Sequence, residues 1–193
     1  MKIGKVLLIM AGSLFLGCVV IGGCVYNGYN KAVALDENVS SSWAQVENQL
    51  QRRFDLIPNL VETVKGVAGH EKEVFLGIAN ARKAYFQAKS TAAKAKSAGM
   101  LGTALSRLLV LKETYPQLKA NENFLKLQDS IEGTENRLGV ERKRYNDAVK
   151  QLNTFTRKLL GRLYAGLADV EKAEYFEVSE VAKERPKVDF GHS

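Results

Sequence analysis

Few residues in this sequence are of the types that do chemistry, and those few are scattered. His70 and His192 are the two histidines, and Cys18 and Cys24 the two cysteines. His70 opens the string His70-Glu71-Lys72-Glu73, which offers imidazole and carboxylate donors in one place. A zinc site on a helix needs at least a second histidine one turn away or a cysteine pair, and neither is present. The string therefore reads as helix-start capping and surface charge, and His192 as part of a chain end. No serine stands in a nucleophile motif with a histidine partner. No glycine-rich phosphate loop follows a strand pattern, and no paired acids form a recognisable catalytic string. The expectation is a protein with no catalytic, metal or cofactor-binding residue, and not an enzyme. Three candidate groups remain. Cys24 is a candidate for lipid attachment. Arg52, Arg53, Asp55 and Pro58 are a candidate partner-binding notch, and Lys187, Val188, Asp189 and Phe190 a candidate recognition tail.

Cys24 lies in the segment Val6–Val25, VLLIMAGSLFLGCVVIGGCV, which carries no charge. A run of about 20 apolar residues crosses the hydrocarbon core of a bilayer as a helix. Lys2 and Lys5 precede it, and Asp36 and Glu37 follow. The positive-inside rule then puts the N-terminus in the cytoplasm and the rest outside, in a single-pass protein of the cytoplasmic membrane. The same residues support a second reading. Ile21-Gly22-Gly23-Cys24 has the small residues before a cysteine that a lipoprotein signal needs, with Lys2 and Lys5 as its basic start. On that reading the mature protein is lipid-anchored and faces the periplasm. Both readings make residues 1–26 an anchor and 27–190 a tethered domain. Ser13 and Gly17, and Cys18 and Gly22, are small residues four apart that would let two such helices pack, so a homo-oligomer is compatible with the pattern.

One of the notch residues, Arg53, falls on a heptad stripe. Val39, Trp43, Val46, Leu50, Ile57, Leu60, Val64 and Val67 recur at four and three, with Arg53 at the one position lacking an apolar residue. The phase holds across Pro58, which predicts one long helix, bent at Pro58, ending near Gly66 or Gly69. At a bend, freed carbonyls beside Arg52, Arg53 and Asp55 would make a polar notch for a partner. The alternative is a salt-bridge network that holds the helices in register. Further on, Val74, Ile78, Ala81, Tyr85 and Ala88 predict a second helix, and Ala84–Gly99, rich in Ala, Lys and Ser, a solvated projection. Helix resumes near Met100 and ends at Tyr115-Pro116. Asn121 caps a long helix with Phe124, Leu127, Ile131, Thr134, Leu138, Glu141, Tyr145, Ala148 and Leu152 in heptad-like spacing, antiparallel to the first. Leu159–Leu167 suits a short amphipathic helix. The fold class predicted is all-α: an anchor helix followed by an elongated antiparallel helical bundle with long heptad-patterned helices.

The formal net charge is +7, and without Lys2 and Lys5 the balance is 26 basic to 21 acidic residues. The basic residues alternate with acids along the helices and form no stripe with aromatics between, which argues against nucleic acid as a partner. Weak attraction to anionic lipid suits the balance better.

Residues 41–72, SSWAQVENQLQRRFDLIPNLVETVKGVAGHEK, closely resemble the LemA family. The resemblance continues through Tyr115-Pro116, Leu118–Phe124, Glu135-Asn136-Arg137, Tyr145–Val149 and Pro186–Phe190, and covers nearly the whole chain. It implies a bacterial membrane protein with an N-terminal span, an antiparallel bundle and no assigned enzymatic activity. Some family members carry a lipid-attachment cysteine where Cys24 stands. The genes often neighbour membrane proteases or TPM-domain proteins, which makes those candidate protein partners by association. Phe155–Ala173 departs from the family pattern in having no proline. Two functions fit: a membrane-anchored scaffold or adaptor of the bacterial cell envelope that binds protein partners, or a self-assembling membrane organiser that contacts anionic lipid through Arg157–Arg162.

Overall fold

The computed structural model describes residues 2–177. Among them are six helices and no strand: α1 Lys2–Ala68, α2 Lys72–Gln87, α3 Thr91–Thr114, α4 Pro116–Lys119, α5 Glu122–Arg157 and α6 Leu159–Leu167. The fold is all-α. The apolar segment and the first helix of the bundle are one element, because α1 passes through Gly22-Gly23 and Pro58 without interruption. Where proline removes a backbone donor, the helix is carried by its neighbours and by packing. Gln51 Nε2 donates to Asp55 Oδ1 at 2.8 Å, and the Thr63 hydroxyl donates to the Asn59 carbonyl at 2.8 Å.

The chain divides into two compact units, each drawing on both α1 and α5. The larger comprises Trp43–Asn146 and the segment from Glu174. Here α1, α2, α3 and α5 form a four-helix arrangement with α4 as a connecting turn. Ring contacts join α1 to α2, with Phe54 4.8 Å from Tyr85 and 5.1 Å from Phe86 between centroids. Lys94 pairs with Glu47 to join α3 to α1, and Lys112 Nζ donates to Gln128 Oε1 to join α3 to α5. Trp43 lies against Tyr145, and Arg53 against Glu135, so numbering falls on α5 as it rises on α1 and the two are antiparallel. The stripe is the core: Val46, Leu50, Phe54, Ile57, Leu60 and Val64 are buried, facing Phe124, Ile131, Leu138 and Tyr145 of α5. Each fully buried Leu or Phe side chain contributes roughly 1.5–3 kcal/mol.

Ala84–Gly99 is not a solvated projection. The chain breaks only at Ala88–Ser90, where the Ser90 side chain accepts from the Ala93 N–H at 3.2 Å and starts α3. Ala95, Ser97 and Ala98 are buried. Small side chains carry little hydropathy, yet they let one helix approach another closely. Nor does His70 cap α2: it is exposed in a turn, and the cap position falls to Glu71, whose carboxylate accepts from the Tyr115 hydroxyl at 2.9 Å. Asn121 does cap α5, accepting from the Phe124 N–H at 3.0 Å.

Asn146 makes a two-way bond with the extended segment, donating to the Phe176 carbonyl at 3.1 Å and accepting from the Phe176 N–H at 2.8 Å. The Tyr145 hydroxyl donates to the Glu174 carbonyl at 2.7 Å, and Phe176 is thereby buried.

The smaller unit comprises residues up to Ser42 and Asp147–Ala173. Its buried residues include Ala32 and Val39 of α1, Ala148, Val149 and Leu152 of α5, and Gly161 and Ala165 of α6. Asn153 repeats the two-way bond with Ala173, at 2.9 and 3.1 Å. Two glycines are required by contact. The Tyr164 ring occupies the space a Cβ on Gly28 would need, and the Phe155 carbonyl occupies that of Gly161. Asp169, at φ 53°, ends α6 in the left-handed conformation, and the Val170 N–H reaches back to the Ala165 carbonyl at 2.9 Å. Ahead of all this, an 18-residue window of α1 has mean hydropathy 1.6, and none of it is buried against the protein.

Tyr85 supplies a pH test of the larger unit. Burial first, and the negative charge of Glu47 second, push its hydroxyl up to about 12. A raised folded-state value means that its contribution is complete below the ordinary tyrosine range of about 10 and is lost as pH climbs towards the folded value. Chemical denaturation of detergent-solubilised protein, followed by circular dichroism, is expected to give a midpoint that falls between pH about 10 and about 12. Tyr85→Phe should flatten that fall.

Candidate functional site: a charged cleft around Arg53

Arg53 takes a core position on α1 between Leu50 and Ile57, and only 5% of it is exposed. A guanidinium there requires an acidic partner, because an isolated buried charge costs several kcal/mol. Glu135 of α5 is that partner. Its Oε2 accepts from Arg53 Nη1, and its Oε1 accepts from Arg142 Nη2 at 2.9 Å. One carboxylate thus bridges two guanidinium groups. The Arg142 guanidinium also lies 5.5 Å from the centre of the Phe176 ring, in cation–π range. Burial pulls Arg53 below the ordinary arginine range. Glu135 opposes that shift and Arg142 adds to it. Arginine stays charged at physiological pH even so.

These groups line a cleft of about 220 Å³ together with Ala98, Gly99, Gly102, Thr103 and Ser106 of α3, Leu138, and Phe176-Glu177. The small residues of α3 leave the space, and Arg53, Glu135, Arg142 and Glu177 supply the polarity. Among the described residues, the buried Arg53 Nε has no hydrogen-bond partner. A cleft of this size admits a side chain or a small polar group, and its donors suit a carboxylate. Among the described residues no three His, Cys, Asp or Glu side chains gather as a metal site requires.

The four residues expected to share one notch are divided. Arg53 faces the cleft. Arg52 and Asp55 lie on another face of α1, in a shallow groove with Leu56 and with Asp129, Ser130, Gly133 and Arg137 of α5. Pro58 is exposed and lines neither. The helical period explains the split, since adjacent residues are about 100° apart around the axis. Of the two adjacent arginines, Arg53 makes an ion pair with α5 among the described residues. Cys24 is exposed on α1. Lys187, Val188, Asp189 and Phe190 lie outside the described residues. Sequence reasoning missed Glu135, Arg142 and Phe176. An arginine at a core heptad position is itself a signal that an acid must stand opposite. The small residues Ala98, Gly99, Gly102 and Thr103 signal a close helix approach.

A single apolar helix running into an all-α bundle, with a paired guanidinium inside it, defines a helical-bundle protein with a membrane-compatible N-terminal segment. The chain belongs to the LemA family, whose pattern matches residues 42–190. It is 23% identical to two proteins of Paramagnetospirillum magneticum, "Magnetosome protein MamQ 1" and "Magnetosome protein MamQ 2". It is 24% identical to "Magnetosome protein MamQ" of Magnetospirillum gryphiswaldense. In each case the match covers 77% of this chain and 64% of the relative, so it spans under two thirds of the length of these curated relatives.

The bridging role of Glu135 predicts an asymmetric mutational response. Glu135→Ala leaves the Arg53 charge unpaired and is expected to cost about 2–3 kcal/mol in denaturant unfolding. Glu141→Ala, which removes the partner of exposed Arg144, should cost under about 1 kcal/mol.

Proposed function

We propose that this protein is a membrane-tethered, non-catalytic helical scaffold of the bacterial cell envelope that offers the Arg53 cleft to an acidic group on a protein partner. The observation that carries the reading is the continuity of α1, which leads from an exposed apolar stretch to the guanidinium lining the cleft. An unbroken helix hydrogen-bonds its own backbone, which is what a bilayer crossing requires. Arg53 and Arg142 share the one carboxylate of Glu135, which leaves guanidinium donor capacity for a second carboxylate. Lys2 and Lys5 favour a cytoplasmic N-terminus, with residues 27–193 outside. The MamQ relatives are named for the magnetosome and not for a reaction. Membrane proteases and TPM-domain proteins, associated with the family by gene neighbourhood, are the first partners to examine.

A photoreactive amino acid at Ser106, exposed on the cleft rim, tests the partner surface in intact cells. One discrete cross-linked product is expected from Ser106 and none from Leu76, exposed on α2. Arg142→Glu should reduce the Ser106 product. An identical pattern from both positions, or a product insensitive to Arg142→Glu, would assign the partner surface elsewhere. The nature of the tether is read by intact mass of the purified protein. A spanning α1 retains the unmodified N-terminal residues, whereas a lipoprotein begins at an acylated Cys24, and Cys24→Ser then blocks processing and shifts the mass.

A further inference from the structure

Helix α6 exposes its apolar face and buries its small one. Leu159 is 88% exposed, and Leu160, Leu163 and Leu167 between 56% and 60%. At 3.6 residues per turn these four fall within an arc of about 100°. Gly161 and Ala165, on the other side, are buried, and Tyr164 covers Gly28 of α1. A nine-residue helix that turns four leucines outward is a poor element for water, since it forgoes the burial that would stabilise it.

Its place on α1 supplies the missing apolar phase. Gly28 follows Val25, the last residue of the uncharged run, by three positions, which is about 4.5 Å along a helix axis. Tyr26 and Tyr29 flank Gly28 and are 68% and 42% exposed. Exposed tyrosines at the end of an apolar span mark the headgroup level of a bilayer. Exposed Arg157 and Lys158 precede α6, Arg162 is exposed within it and Lys31 is exposed on α1, whereas exposed Asp169 and Glu171 follow its far end. Lys31, Lys150 and Lys158 share one groove, with Asp147 as its acid.

We propose that α6 is an interfacial helix: its four leucines enter the boundary of the same bilayer that α1 crosses, and the surrounding lysines and arginines bind anionic phospholipid headgroups. This rests on the reading of α1 as a membrane span. Such a helix lies in the plane of the interface with its apolar face about 5–10 Å deep. Basic residues at an anionic surface add attraction that salt screens. The pairing of one crossing helix with one surface helix fixes the smaller unit against the bilayer at two places and limits rotation of α1 about its own axis.

The test uses the full chain in vesicles of phosphatidylcholine and phosphatidylglycerol whose acyl chains carry bromine, a contact quencher of tryptophan. Trp43→Phe makes the introduced reporter the sole tryptophan, and circular dichroism checks that helix content is retained. One reporter is Val20→Trp, in the span, and the other Leu163→Trp, on α6. Quenching at both is the expected result. Replacing Arg157, Lys158 and Arg162 by glutamate should then weaken quenching at the α6 reporter only. Quenching in the span with none on α6 overturns the inference and leaves the tether standing. Quenching at neither removes the membrane reading, and the inference with it. If Trp43→Phe costs helix, a photoreactive residue at Leu163 in the otherwise unchanged chain decides the matter. Adducts to phospholipid support an interfacial α6, and adducts to a second copy or to another protein overturn it.

Discussion

The larger unit is organised around one buried charge. Arg53 stands where an apolar residue would continue the α1 stripe, and its guanidinium is almost wholly removed from water. A charge so placed is tolerable only with a partner in hydrogen-bond contact, and Glu135 is in reach only at one relative setting of α1 and α5. A slip of either helix by one turn would move the pair apart by about 5.4 Å and leave the guanidinium stranded. The pair therefore acts on register more than on net stability, as heptad seams with a single polar position do. Arg142 and Phe176 attach to the same carboxylate system, so the extended segment after α6 takes its place from the same constraint.

A second constraint is backbone satisfaction. The segment around residues 170–177 is neither helix nor strand, and its amides would be left unpaired against α5. Asn146 and Asn153 meet this with a side-chain amide, which both donates and accepts. Each meets one residue of the segment through its N–H and its carbonyl. The two asparagines are seven residues apart, the spacing that returns a helix to the same face. Two side chains thereby do for the segment what a neighbouring strand would do.

The same accounting separates two of the places where apolar groups remain exposed. On α1, an 18-residue apolar window is nowhere buried against the protein. On α6 the exposure is one-sided, because Gly161 and Ala165 are used for packing. A helix exposed all round fits the interior of a bilayer, and one exposed on a single face fits its boundary.

Periodicity and length are local properties, and what depends on them was legible in the residues. The uncharged run, the stripe through Pro58, the Asn121 cap, the stop at Tyr115-Pro116 and the short helix of Leu159–Leu167 follow from spacing and residue type. The family resemblance rested on the same contiguous strings. What depended on residues far apart in the chain was decided only by the tertiary structure. Ala95, Ser97 and Ala98 look solvated by composition, but they are buried because small side chains let α3 come close to its neighbours. Arg52 and Arg53 are adjacent and chemically alike, and a 100° step around α1 gives one a groove at the surface and the other the core. Arg53 announced that it needed an acid, but twenty-one acidic residues could have answered. That Glu135 does so follows from helix pairing across some eighty residues, and no local pattern encodes that choice.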